Sequence, residues 1–296
     1  MKKRLNFGGS WTHEKLEKVR KYLAAYVKIM TKQRFQFMYI DAFAGTGYLD
    51  NTLKSNSQQK FLVDENDDTK SYKEGSAKIA LQIEPAFNKY IFIEKEEGNI
   101  ESLNHLRDEA FSIGKNIVII NQDCNLYLLE LCRKVNWLNT RAVLFLDPYG
   151  MEVKWETLVA ISETKAIDLW ILFPLGVAVN RMLTKSGEID AKWTEILNNL
   201  FGTNDWYDTF YKTKSILEIW GEKKETIKIS TFDLISEYFV KRLKTIFAGV
   251  AENPLPLYNS RNNPLFLLCF TASNPKGSAT AIKIAQDILK RKNGLH

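Results

Sequence analysis

Five compact apolar runs, separated by segments of helical period, constrain this chain more than any other feature. They are Phe37–Phe43, Tyr90–Glu94, Ile117–Asn121, Ala142–Asp147 and Ile167–Phe173. Each has the length and the β-branched or aromatic content of a strand, and each is apolar on both faces. Such strands need a sheet covered on both sides, which is the situation of parallel strands between helical layers. Helical patterns lie between them, at Ser76–Ile83, Ile100–Phe111, Leu126–Val135 and Glu156–Ser162. The alternation predicts an α/β fold with a doubly wound, mostly parallel Rossmann-like sheet. Upstream, Leu16, Val19, Leu23, Tyr26 and Val27 recur at helical steps between charged residues, so 12–30 reads as an amphipathic helix.

Two stretches interrupt the alternation. Residues 51–74 are rich in Ser, Asn, Gln, Asp and Lys, and form a long polar loop between the first strand and its helix. Residues 187–245 combine helical patterns with Trp193, Trp206, Tyr207, Phe210, Trp220, Tyr238 and Phe239, and read as a helical insertion with an aromatic core. The sheet domain is then expected over 1–186 plus 246–296, with 1–36 as its N-terminal helical part. Its last pieces are Phe247–Ala251, a Pro/Asn-rich link at Asn253–Pro264, a strand at Leu265–Thr271 and a helix at Ser278–Lys292 ending in a basic LKRK.

Composition narrows the class. Apolar residues make up 45% and charged residues 26% of the chain, which excludes wholesale disorder. Lys and Arg exceed Asp and Glu by 41 to 35, and the net charge of +6 permits a polyanionic partner without requiring one. The three cysteines are scattered, and His13, His105 and His296 show no metal-ligand spacing, so neither a disulfide framework nor a bound metal is expected. The longest uncharged apolar run, Leu169–Val179, contains Pro174 and Gly176 and is too short for the ~20 residues of a membrane span. The basic N-terminus has no apolar stretch behind it, and a reducing cytoplasm is the expected location.

Chemistry concentrates at the ends of the apolar runs. Asp41-Ala42-Phe43-Ala44-Gly45-Thr46-Gly47 carries a buried strand into a glycine turn. Glycine admits positive φ and lets a ligand approach the backbone. A dinucleotide fingerprint would need glycine at position 50, where Asp50 stands, and no Walker lysine follows. The motif is either a tight turn or a nucleotide-like cradle. Glu94 ends the second run, where a carboxylate can accept from both ribose hydroxyls, or simply face solvent. Asp123, in Asn121-Gln122-Asp123-Cys124, can accept an adenine amine after the third run. Asp147-Pro148-Tyr149-Gly150 closes the fourth. There a carboxylate and a backbone carbonyl can accept both N–H groups of an exocyclic amine and localise its lone pair. Proline fixes the turn, and the aromatic ring can stack on a flipped-out base. An ordinary Asp-Pro turn has the same sequence.

In this order and spacing, DAFAGTG, IEK, QDCN and DPYG are similar to motifs of class I S-adenosylmethionine-dependent methyltransferases. DPYG resembles the DPPY-type tetrad of nucleic-acid amino-methyltransferases, and is closer still to the DPFG of tRNA guanine-N2 dimethyltransferases. It has one proline instead of two, with the aromatic third. More of the chain resembles the three-Cys-motif partner protein family (TcmP): Thr12-x-x-Lys15-Leu16, YIDAFAGTG, Gly75-Ser76-Ala77, FIEK, FLDPYGMEVKW and LWILFPLG. That bacterial and phage-associated family is methyltransferase-like, and its name refers to cysteines of a neighbouring iron–sulfur protein.

The resemblance implies a methyltransferase sheet with an antiparallel last strand, S-adenosyl-L-methionine as cofactor, and DNA or RNA as acceptor. The alternative it implies is a partner-dependent subunit of a three-Cys-motif iron–sulfur protein. It puts Asp41, Ala42, Phe43, Gly45 and Gly47 beside the cofactor's methionine part and Gly75 and Ser76 at its carboxylate. Glu94 then meets the ribose, Asp123 and Cys124 the adenine, and Asp147, Pro148 and Tyr149 the methyl acceptor. Arg181 is a candidate phosphate contact, and residues 51–74 a candidate lid.

Overall fold

The computed structural model describes residues 10–47, 75–218 and 221–290, with the backbone alone for 10, 216–218 and 221–224. The lid candidate, the first nine residues and the end of the basic tail lie outside the described residues. A long helix α1 (Ser10–Met30) precedes strand β1 (Gln36–Asp41). Then come α2 (Ser76–Leu81), β2 (Lys89–Glu94), α3 (Glu97–Phe111), β3 (Ile117–Asn121), α4 (Cys124–Lys134), β4 (Thr140–Leu146), α5 (Trp155–Glu163) and β5 (Ile167–Phe173). All five apolar runs are therefore strands; two match the expected bounds and three differ by one or two residues at their ends.

The strand order is β3-β2-β1-β4-β5, all parallel, followed by β10 (Pro264–Ala272) antiparallel to β5 and β8 (Gly249–Val250) antiparallel to β10. The order reverses beside β1, where crossovers leave to opposite faces and a crevice opens at the carboxyl ends of the strands. In register, Asp41 lies beside Phe92 of β2 and Phe145 of β4, so the strand tips finish level. The last strand is antiparallel, as expected.

Side-chain alternation separates two cores. Tyr39, Tyr90, Phe92, Phe145, Trp170 and Phe270 face α1, α2, α3 and the final helix α10 (Ser278–Leu289). Ile40, Ile91, Leu144, Leu146 and Ile171 face α4, α5 and the elements of the 187–245 segment. One side is thus aromatic and the other mostly aliphatic. Helix α1 runs antiparallel to the strands: Lys15, near its start, meets Asp147 beyond the tip of β4, while Tyr22 donates to Asp168 at the start of β5 at 2.7 Å.

The segment expected to be a helical insertion is mixed. It holds α7 (Ala191–Phe201), α8 (Trp206–Phe210) and α9 (Phe232–Lys244), but also an antiparallel hairpin of β6 (Tyr211–Glu218) and β7 (Gly221–Lys228). Among the described residues the hairpin is a two-stranded sheet of its own. Its strands, YKTKSILE and GEKKETIK, carry no clean apolar/polar alternation, so no local period announces them. The aromatic-core expectation holds for Trp206, Phe210 and Phe239, which are fully buried. The Pro/Asn-rich link contains a further strand, β9 (Leu255–Tyr258), paired with β10. Between β5 and α7 the chain makes a π-turn at Leu175–Val179 and a short α6 (Asn180–Met182). Among the described residues, no helix is long and apolar enough to cross a membrane.

Candidate functional site

The crevice beside β1 begins with Asp41, which is completely buried. Its Oδ2 accepts from the Tyr39 hydroxyl at 3.2 Å and its Oδ1 from the Phe43 amide at 3.4 Å. Burial raises the carboxyl to about 6, and Asp147 adds to the rise, while hydrogen bonds from Ser76, Phe43 and Tyr39 oppose it. Ser76 at the start of α2 is therefore tied to Asp41. The Gly75 amide donates to the Gly47 carbonyl at 3.3 Å.

The turn after β1 needs its glycines. Gly45 has φ +57° and Gly47 φ +75°, and a Cβ on Gly47 would come within 2.8 Å of Leu106 Cδ2. At Gly45 the first atom a Cβ would meet is the Tyr149 hydroxyl oxygen, 3.9 Å away. The turn is fixed by Ala44 N donating to Ile93 O, Gly47 N to Ala44 O, and Ser102 Oγ to Thr46 O. The Ala42 amide donates to the Phe145 carbonyl and so joins the tips of β1 and β4.

Glu94, at the tip of β2, is buried and its Oε1 accepts from the Glu96 amide at 2.8 Å. Asn121 at the tip of β3 donates to the Glu94 and Lys95 carbonyls, locking the two tips together. Asp123 is the N-cap of α4: its Oδ1 accepts from the Asn125 and Leu126 amides. That geometry gives the carboxylate a capping role beside any ligand role. Cys124 is buried and its thiol is pushed up to about 12, chiefly by burial, so it stays protonated at neutral pH.

Asp147 follows β4, and Lys15 of α1 donates to its Oδ2 at 2.5 Å. The lysine side chain is 6% exposed and the aspartate 21%. The Lys15 ammonium also lies 5.2 Å from the Trp11 ring and 5.9 Å from that of Phe145. Tyr149 is 49% exposed. Its phenol is raised to about 12 by partial burial and then by the carboxylates of Asp147, Glu94, Glu152 and Asp41. The Tyr149 hydroxyl thus lies within electrostatic reach of carboxylates at the tips of β1, β2 and β4. The loop itself is held by Glu152, whose Oε2 accepts from the Tyr149 amide at 3.0 Å. Asn125 joins it to α4: its amide donates to Glu152 O, and its carbonyl accepts from Lys154 N and Thr157 Oγ1.

The structure thus brings Asp41, Gly45, Glu94, Asp147 and Tyr149 into one crevice, with Gly47, Ser76 and Asp123 bracing its edges. Arg181 is exposed on α6, at the end of the π-turn after β5. Sequence reasoning missed Lys15, Asn125 and Glu152 as parts of the site. Lys15 stood in the Thr12-x-x-Lys15 pattern, but a helix lysine reads as solvated. The fit to an adenosyl-methionine ligand is good on this structure's own features: a glycine turn open at Gly45, a buried carboxylate at its foot and a second one at the tip of β2. Among the described residues, no group of three or more His, Cys, Asp and Glu could hold a metal ion.

No protein-family model and no curated protein matches the chain. Among solved structures, the Legionella pneumophila protein LPL1258 is 17% identical, with a TM-score of 0.40 over 81% of this chain and 92% of its own. The glycopeptide N-methyltransferase MtfA, in complex with S-adenosyl-L-homocysteine, is 8% identical, with a TM-score of 0.33 over 85% and 89%. The plantazolicin methyltransferase BpumL is 11% identical, with a TM-score of 0.29 over 88% and 85%. Strand order and direction, independent of these scores, give the chain a Rossmann-like fold: a mostly parallel, helix-covered sheet with antiparallel C-terminal strands.

Proposed function

We propose that this protein is an S-adenosylmethionine-dependent methyltransferase acting on an exocyclic amine of a nucleic-acid base. The observation that carries the reading is Asp147, paired with a buried lysine and level with a half-exposed Tyr149 over the Gly45 turn. When bound, the cofactor supplies an electrophilic methyl group on a sulfonium. Glu94 would hold its ribose, the Gly45–Gly47 turn and Asp41 its amino-acid part, and the Asp123 loop its adenine.

The chain's own residues then act on the acceptor. Asp147 and the Pro148 carbonyl accept the two amine N–H groups, which draws the nitrogen lone pair out of the ring and aims it into the crevice. Lys15 pairs with the Asp147 carboxylate and fixes its orientation. Tyr149 stacks on the base as a neutral phenol, since its hydroxyl titrates far above neutrality. After transfer the nitrogen sheds its proton to Asp147 and so to solvent. The net charge of +6 suits a polyanionic substrate.

Tritiated methyl incorporation into DNA, tRNA and rRNA pools tests the reading. Labelling of one pool by the wild type, and its loss in Asp147→Ala, is the expected outcome. Labelling of no pool, or equal labelling by the variant, would sink it.

A second reading, a subunit that works with a protein partner such as a three-Cys-motif iron–sulfur protein, draws on one surface. Phe111 and Ile113, between α3 and the edge strand β3, are 77% and 69% exposed. Activity restored only by adding the partner, and abolished by Phe111→Glu, would support it.

A further inference from the structure

The base of the β6–β7 hairpin is tightly held. Lys228 Nζ donates to Asn180 Oδ1 at 2.8 Å and to the Asn180 and Leu183 carbonyls at 3.0 Å. The Tyr211 hydroxyl donates to the Thr184 carbonyl at 2.9 Å, and that of Tyr207, just before β6, to the Gly187 carbonyl at 3.0 Å. All these acceptors lie on the segment that follows β5 and its π-turn. The π-turn sits at the carboxyl end of the sheet, since a Cβ on Gly176 would run into the carbonyl of Pro264 at the start of β10. The hairpin is therefore rooted at the same edge as Asp147, whose strand β4 pairs with β5.

Beyond its base the ribbon is open. Lys212, Thr213, Lys214 and Ser215 are four consecutive exposed residues of β6, so both faces of the strand meet solvent. Each of these side chains can donate a hydrogen bond and none is anionic. A two-stranded ribbon on its own is only marginally stable in water, and a firm root under an uncovered blade suits a blade that meets something outside the chain. Lys212 and Lys214 share one face, about 7 Å apart along the strand, a spacing that suits successive phosphates of one nucleic-acid strand. Opposite them on β7 stand Ile227 and Glu225, so one acid faces two lysines. Arg181 and Lys185, exposed on the anchoring segment, extend the basic surface toward β5, with Glu188 at its margin.

We infer that the exposed face of β6 is the docking surface for the phosphate backbone of the acceptor nucleic acid, with Lys212 and Lys214 each pairing with a phosphate. The inference rests on the nucleic-acid reading above and adds to it the surface along which the substrate lies. Phosphate contacts fix register without reading sequence, so the hairpin would position a strand whose target base enters the crevice at Asp147.

The test is fluorescence-anisotropy binding of duplex DNA, single-stranded DNA and single-stranded RNA, each of about 20 residues, to the full chain over a range of salt. Wild type is expected to bind at least one of them with a steep salt dependence. Lys212→Gln/Lys214→Gln should weaken that binding about tenfold at low salt and reduce the slope of log affinity against log salt by about 2. Lys283→Gln, on α10 at the other face of the sheet, should leave both within error. S-adenosylhomocysteine affinity should be the same in all three proteins. The inference is overturned if wild type binds none of the probes, if the double variant keeps affinity and slope, or if Lys283→Gln costs as much, because net charge alone is then responsible. A parallel loss of S-adenosylhomocysteine affinity would make the two lysines structural and overturn it too. Equally tight binding of poly-L-glutamate would assign the surface to acidic peptides, with the same result. The tritium experiment separates the two readings. Asp147-dependent labelling with an unchanged double variant removes the docking surface alone, whereas lysine-dependent binding without labelling removes methyl transfer and keeps the surface.

Discussion

Asp147 and Lys15 are 132 positions apart in the chain and share a hydrogen bond at the tip of β4. A carboxylate that must accept from a weakly basic amine has to be correctly turned, and a charge-assisted hydrogen bond from a buried lysine holds it so. Removing one member of such a pair leaves the other uncompensated. Lys15→Met is therefore expected to lower methyl transfer by about 100-fold, as misplacing a positioned group does. S-adenosylhomocysteine affinity, measured by calorimetry, should stay within about threefold because the glycine turn and Glu94 are untouched. Equal losses of cofactor binding and turnover would show that Lys15 only supports the fold. The acidic members of the site were legible in the sequence because each ends an apolar run. Lys15 was not, because a lysine's burial depends on what another element brings to it.

At the scale of elements, the crevice is made by short connections pinned to one another. Asn125, buried in the first turn of α4, satisfies the Glu152 carbonyl, the Lys154 amide and the Thr157 hydroxyl together. It thereby couples the helix after β3 to the loop after β4. Asn125→Ala would strand three polar groups away from water, and should destabilise the protein by about 2–3 kcal/mol in urea melts. Transfer activity should fall further than the population of folded protein explains, because the Tyr149 loop loses its anchor. An activity loss that merely tracks unfolding would contradict this. The same scale shows where local patterns were sufficient. Strands β1 to β5 were readable from apolar runs, and α1 from its period. The β6–β7 hairpin was not, because aromatic residues on either side of it suit helix and strand alike. Strand β9 was hidden by Pro256 within it and Pro254 just before it; at this margin of the sheet a proline need not donate to the ladder.

For the molecule as a whole, a buried acid and a half-buried one at opposite ends of the sheet shape the response to pH. Burial raises Asp41 at the carboxyl end to about 6 and Asp168 at the amino end to about 7, against an ordinary value of 3.8. The unfolded chain releases these protons near pH 4, whereas the native state keeps them until pH 6 to 7. Over that interval the native state binds more protons, so both groups lower stability as pH rises from about 4 to about 7, with no further change above. Each effect is on the order of a few kcal/mol. In urea melts, Asp168→Asn should lose less stability than wild type between pH 4.5 and 7.5; parallel curves would refute the assignment. The sequence by itself determined the sheet: apolar runs with helices between them leave a parallel, covered sheet as the way to bury both faces, and the acids at their ends must then share an edge. Tertiary structure alone decided what those acids are worth. Their neighbours (Lys15, Ser76, Tyr22) come from elements distant in the chain, and charge, burial and reach are set by contacts that no local pattern encodes.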